Sequence, residues 1–180
     1  MRIKSVNSLE EFGRVQLSQS FFMRDFLYSE ISQIEQIPNL PHHPDIAIRT
    51  GSMLCQRVLE PLQNALGSIS IRSGYRCPEV NAKGAQNRNQ YRCASNENNY
   101  ARHIWDYPDK DGCYGAMACV VVNSYLPYYN ATKDWKKLAG WIDGNIPEYS
   151  EMCFYPKLCA INISWSEKPK KTIKSYIFTK

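Results

Sequence analysis

The chain has 180 residues, 43% of them hydrophobic and 22% charged, and a formal net charge of +5. That length supports one domain with one sizeable core, and the composition is that of an ordinary globular protein. No run approaches the roughly 18 apolar residues that would span a bilayer, and the opening MRIKSVNSLEEFGR has charge but no apolar centre, so neither a transmembrane segment nor a signal peptide is expected.

Residues 18–34 carry apolar side chains at 22, 26, 27, 31 and 34, which is helical spacing, with Ser18 or Ser20 as the N-cap. Pro38 and Pro41 close that segment. The loop between them and the next helix places His42 beside His43. Adjacent side chains point apart, so these suit surface positions better than a shared ligand site. A second helix is predicted over 45–66, facing inward through Leu54, Val58, Leu59 and Leu62, with Pro61 as a kink and Gly67 as the stop. A strand follows at 68–72. Residues 82–116 form a long polar, Asn- and Gly-rich insertion, of a kind that is functional or part of an interface. Residues 117–122 read as a buried strand, and 131–145 as an amphipathic helix with Leu138, Trp141 and Ile142 inward. Strands are predicted at 152–155, 158–165 and 172–178. The sum is an α+β fold, one domain over residues 1–180, with a mostly antiparallel sheet and helices packed on one face.

The seven cysteines are odd in number and no export signal accompanies them, which argues against a disulfide framework. Cys55, Cys119, Cys153 and Cys159 lie in apolar runs and are expected as small core residues. Cys77, Cys93 and Cys113 fall in loops near His103. Lys168, Lys170, Lys171, Lys174 and Lys180 make a basic tail, read as a solvated face. Neither a nucleic acid nor a membrane is expected as a partner.

The segment SGYRCPEVN at 73–81 directly follows the first strand. It resembles the SGYR turn of the zinc D-Ala-D-Ala carboxypeptidase family, which has the hedgehog/DD-peptidase fold. LSQSFFMRDFLYSE and VLEPLQNALGSISIR resemble the elements that precede that turn in phage and bacterial members. The resemblance implies a zinc held by two His and one Asp, with a carboxylate to take the proton of the bound water. Carried across, the three ligand positions fall on His103, Cys119 and Asn162, and the base on Cys159 or Ala160. Asn is a poor zinc ligand, and neither base candidate is a carboxylate.

The resemblance therefore implies a degenerate site, with no catalytic residue and no metal or cofactor. Such a domain would act as a structural or binding component of a phage virion or tail, located in the virion or the cytoplasm. Its partners would be other virion proteins, with peptidoglycan as a further contact. Arg76 and Tyr75 are the candidate ligand contacts. Trp105, Tyr107 and Tyr114 are the interface candidates, on an insertion expected to cover the old cleft or dock on a partner. The alternative is an active zinc-dependent peptidoglycan peptidase, its metal held by His103, Cys119 and a third residue. Asp106, Asp109, Asp111 and Glu167 are the spare carboxylates from which a site could be rebuilt. A structural zinc on His103 with Cys93, Cys113 or Cys119 is a minor variant of this.

Overall fold

The structure is a computed structural model that describes residues 3–86 and 91–178. The chain opens on α1 (Val6–Gly13), started by a reciprocal Ser5–Ser8 capping box; the apolar pattern there is too sparse to have announced a helix. The helix expected over 18–34 is broken. Residues 16 and 22 bridge as antiparallel neighbours, a 3₁₀ turn covers Met23–Phe26, and α2 spans only Glu30–Glu35, capped by Ser29. The cause is Glu60. This buried carboxylate accepts hydrogen bonds from the Ser18 hydroxyl and from both the amide and hydroxyl of Ser20. The two serines expected to cap a helix instead hold their segment against the next one.

That next helix runs unbroken from Pro44 to Leu66 as α3 (Pro44–Leu54), a π turn (Cys55–Leu59) and α4 (Glu60–Leu66). The Glu60 amide reaches back to the Cys55 carbonyl. The wide turn thus lies directly ahead of Pro61, whose ring carries no N–H. Gly67 ends the helix at φ 85°, a value that favours glycine.

The polar stretch contains α5 (Pro78–Gln86) and the short α6 (Asn96–Asn99), so it is less of a loop than its composition implies. The helix predicted over 131–145 is two: α7 (Leu126–Thr132), then α8 (Lys136–Asn145) after Lys133 in the left-handed region. Leu138 and Ile142 are buried as expected, with Trp141 half-buried at the core margin.

Five strands form one sheet: β1 (Ile69–Ser73), β2 (Gly115–Val122), β3 (Glu151–Tyr155), β4 (Ala160–Ser166) and β5 (Thr172–Ser175). Their order is β1-β2-β4-β3-β5; all neighbours are antiparallel except β3 and β5. The fold is thus α+β with a mixed, mostly antiparallel sheet. Alternation along the strands gives the sheet two unlike faces. Ala116, Ala118, Val120 and Val122 of β2, with Met152, Phe154, Ile161 and Ile163, turn into the core formed with α3, the π turn and α4. Among the described residues, no helix is long and apolar enough to cross a membrane.

The core reaches into the insertion. Trp105 is 0% exposed; its ring lies 5.3 Å from Phe26 and 6.0 Å from Tyr75, and its Nε1 donates to the Met117 carbonyl. It is a core anchor, which corrects its reading as an interface residue. Next to it, Asp106 is 1% exposed. Its Oδ2 accepts from the amides of His42 and His43, at the mouth of α3, and its Oδ1 accepts from the Tyr75 hydroxyl. One carboxylate therefore ties the insertion, the start of α3 and the Gly74–Tyr75 turn together. Asp106→Ala would leave three donors without their acceptor, each costing about 1–3 kcal/mol where it stays buried. We expect a loss of about 3 kcal/mol or more in chemical denaturation. Tyr107→Phe, at a half-buried neighbour, removes one exposed hydrogen bond to the His42 ring and should cost no more than about 1 kcal/mol.

Candidate functional site

The turn after β1 is fixed from three sides. Gly74 is required by close approach, since a Cβ there would lie 2.6 Å from the Phe26 Cβ and 2.9 Å from its Cα. The Tyr75 amide donates to the Phe26 carbonyl. Asn39 donates to the Leu27 and Tyr75 carbonyls and accepts from the Cys77 amide. Asn81, the last residue of the motif and fully buried, donates to the Ala94 carbonyl and to Asn96, and accepts from Asn99. The motif's Asn thus carries the segment that leads to His103.

His103 and the turn clasp each other. The Arg76 amide donates to the His103 carbonyl (2.8 Å), and His103 Nδ1 lies 2.7 Å from the Gly74 carbonyl. A carbonyl only accepts, so Nδ1 carries the proton and Nε2 does not. His103 is 4% exposed. Burial, with the charge of Arg76 and then Arg102 against it, holds its pKa down at about 3, although the Gly74 hydrogen bond acts in the other direction. The imidazole is neutral at any physiological pH.

The outer face of the sheet forms the floor of an open cleft of about 630 Å³, and His103, Cys119 and Asn162 all line it. Cys119 on β2 stands directly opposite Asn162 on β4, which in turn stands opposite Cys153 on β3. The register inferred from the motifs therefore does bring the three positions to one place. Their chemistry is another matter. Burial pushes the Cys119 thiol up to about 11, against the pull of Arg72 and Arg76. Cys153 is likewise raised by burial. Asn162 donates its amide to the Tyr155 hydroxyl. Cys159 and Ala160, at the base position, offer no carboxylate, and Cys159 is buried. Among the described residues, no three His, Cys, Asp or Glu side chains converge as a metal site. The set is one imidazole, two thiols and an engaged amide beside Arg72 and Arg76, where the resemblance would place two imidazoles and a carboxylate around a zinc.

Several expectations need correction. Tyr75 is fully buried with its hydroxyl spent on Asp106, so it cannot touch a ligand in the cleft. Cys119 and Cys153 face the cleft half-buried rather than the core, while Cys77 is buried. Cys55 and Cys159 are buried as their apolar runs imply. None of residues 104–116 lines the cleft, so that part of the insertion does not cover it, whereas residues 91–94, 98, 99, 102 and 103 of the same insertion form part of its wall. Tyr107 instead stacks on Tyr100 and contacts His42, and Tyr114 lies under the Arg49 guanidinium. The spare carboxylates also lie elsewhere. Asp106 is buried as described, and Asp109 accepts from the Asp111 and Cys113 amides of its own turn. Asp111 is exposed, and Glu167 accepts from the Tyr114 amide.

Sequence reasoning named Arg76, which does line the cleft, and missed the other charges around it. Arg72, Arg76, Arg92, Arg102, Lys157 and Lys174 line it, against Glu30 and Glu151. Arg102 grips Glu151 through two hydrogen bonds of 2.7 and 2.8 Å. Burial raises the Glu151 carboxyl, but the bonds and charge of Arg102 outweigh it and leave it below the usual range. Arg72 sits at a bulge, where the register shifts between Ile71 and Ser73. Lys174, counted with the basic tail, reaches the cleft because the edge strand β5 pairs with β3. Lys180 lies outside the described residues.

Searches against family models, curated proteins and solved structures found no match for this chain.

The buried imidazole makes stability depend on pH. An unfolded His titrates near 6.5 and the folded one near 3. Below pH 6.5 the unfolded chain therefore binds a proton that the folded chain refuses, and stability falls as pH drops towards 3. The slope from this residue reaches about 1.4 kcal/mol per pH unit. His103→Gln, whose amide can still donate to the Gly74 carbonyl, should lack this part of the slope. Denaturant unfolding of both proteins between pH 4 and pH 7 reads the difference; parallel curves would show that His103 is not held neutral.

Proposed function

We propose that this chain is a catalytically inactive D-Ala-D-Ala carboxypeptidase-like domain that works by binding. It serves as a structural or recognition component of a larger assembly, of the kind found in a phage virion or tail, and peptidoglycan is a candidate contact. The observation that carries this reading is the cleft floor. At the place where the resemblance calls for three metal ligands and a base, the chain has one neutral His and a Cys119–Asn162 cross-strand pair, and the base position holds Cys159 and Ala160; the carboxylates of the cleft are Glu30 and the Arg102-bound Glu151. At the base position there is no carboxylate to take a proton from water, and opposite Cys119 an amide stands where the resemblance calls for a metal ligand. The framework that would position such a site is nonetheless kept, through Gly74, Asn81 and the His103 clasp.

One observation favours the alternative of an active zinc peptidase. His103 gives its Nδ1 proton to a backbone carbonyl and leaves Nε2 bare, as metal-bound histidines do. Metal analysis of protein produced with zinc in the medium separates the two readings. The expected result is well below one zinc per chain, unchanged in His103→Ala, and no cleavage of cross-linked muropeptides. About one zinc per chain, lost in His103→Ala, together with peptide release, would establish the peptidase. The assembly part of the proposal has its own measurement: the protein should copurify with a particle at a fixed copy number.

A further inference from the structure

The charge pattern of the cleft indicates what it binds; this inference rests on the binding-module reading above. Arg102 is committed to Glu151. The other five cations, Arg72, Arg76, Arg92, Lys157 and Lys174, make no ion pair with a carboxylate among the described residues. Of the two carboxylates that line the cleft, only Glu30 is left to face them. Arg76 adds a specific sign of an absent acceptor. One of its terminal nitrogens contacts the Cys93 sulfur, and its Nε is buried with no hydrogen-bond partner. A buried guanidinium nitrogen without an acceptor is costly, and an anion in the cleft would relieve it.

The five cations stand in two banks. Arg72, Arg76 and Arg92 lie at the β1 side, with Arg72 on β1 itself. Lys174 lies on β5 at the opposite edge, and Lys157 just after β3. Four strand spacings separate β1 from β5 in the sheet order, about 19 Å at ~4.8 Å each. Between the banks the floor carries the uncharged Met117, Cys119, Asn162 and Cys153 and the mutually neutralising Arg102–Glu151 pair. A small dicarboxylate cannot reach both sides. An extended polypeptide of about six residues can, at ~3.3 Å per residue. A single-stranded nucleic acid suits the pattern less well, because it would lay phosphates along the neutral floor. Tyr155 and Tyr176, two aromatics of the cleft that a base could use, already stack on each other.

We propose that the cleft binds an extended acidic peptide segment of about six residues, with carboxylates near both ends and an uncharged middle. Arg72, Arg76 and Arg92 hold one end, and Lys157 and Lys174 hold the other.

The test is fluorescence anisotropy on the full chain with labelled six-residue peptides. One has aspartates at both ends and alanines between, one has lysines at the ends, and one is all alanine. A six-nucleotide single strand is measured beside them. The aspartate peptide should bind, and its affinity should fall steeply between about 0.05 and 0.5 M salt. Arg72→Glu and Lys174→Glu should each weaken it about fivefold or more. Both positions are exposed, so these variants should fold as the parent does. Equal binding of the alanine peptide, no effect of either reversal, or tighter binding of the oligonucleotide would overturn the proposal. Mass spectrometry of the recovered peptide keeps the two readings apart. Intact peptide agrees with both. Cleaved peptide overturns the inactive-domain reading, while the acidic-ligand inference still stands on the binding data.

Discussion

The arrangement depends on one buried carboxylate. Asp106 is nearly inaccessible and accepts from two consecutive amides at the mouth of α3 and from the Tyr75 hydroxyl. A buried carboxylate is tolerated only when its lone pairs are met by donors, and these three come from segments distant in sequence. The Tyr75 end of this network is the turn whose Gly74 carbonyl holds His103 and whose Arg76 amide holds the His103 backbone. Orientation thus passes from a core acid to a core phenol, and from there to the cleft wall. Trp105, packed on Phe26 and Tyr75, supplies the apolar half of the same joint.

The sheet then makes the cleft by alternation alone. Its inner face is filled with Ala, Val, Ile and Phe from β2, β3 and β4, against the long helix and its π turn. The outer face is where polar and charged side chains collect. Strand order decides which charges meet. Putting β5 beside β3 brings Lys174 to the side opposite Arg72, with β2 and β4 between. The resulting field favours anions over a bare divalent cation around Cys119 and Asn162. Of the cleft's cations, Arg76 and Arg102 help keep His103 neutral.

Much of this was legible in the sequence, and the failures have physical causes. The strands follow from short apolar runs, alternating in β1 and continuous in β2, and the helix predicted over 45–66 from its apolar face. The cross-strand position of Cys119 and Asn162 came from motif register. The helix over 18–34 failed because a distant acid, Glu60, competes for the serines that local spacing offers as caps. Trp105 and Asp106 failed for a related reason. They sit in a polar stretch, and only tertiary structure shows that the chain dives inward there. The cationic cleft was invisible because its residues are scattered between positions 72 and 174. Arg72 is placed by a bulge and Lys174 by a parallel pairing that no local pattern announces.

These observations bear on what a motif match can mean. Within the SGYRCPEVN segment, Gly74 is needed for close approach to Phe26, and Tyr75 is needed by Asp106. Asn81 is needed by Asn96 and Asn99, and the Arg76 amide by His103. Each has a structural use that holds with or without chemistry in the cleft. The motif therefore reports a framework for holding a histidine beside a sheet; it does not report a reaction. The reaction would need carboxylates and further ligands on β2 and β4, and at those positions this chain has a thiol and an amide. What the framework still presents to solvent is the guanidinium of Arg76, with a buried nitrogen lacking an acceptor, at the edge of a cationic basin. A scaffold that gathers positive charge along one cleft and leaves a guanidinium nitrogen without an acceptor there supports the proposal that it holds an anion in place.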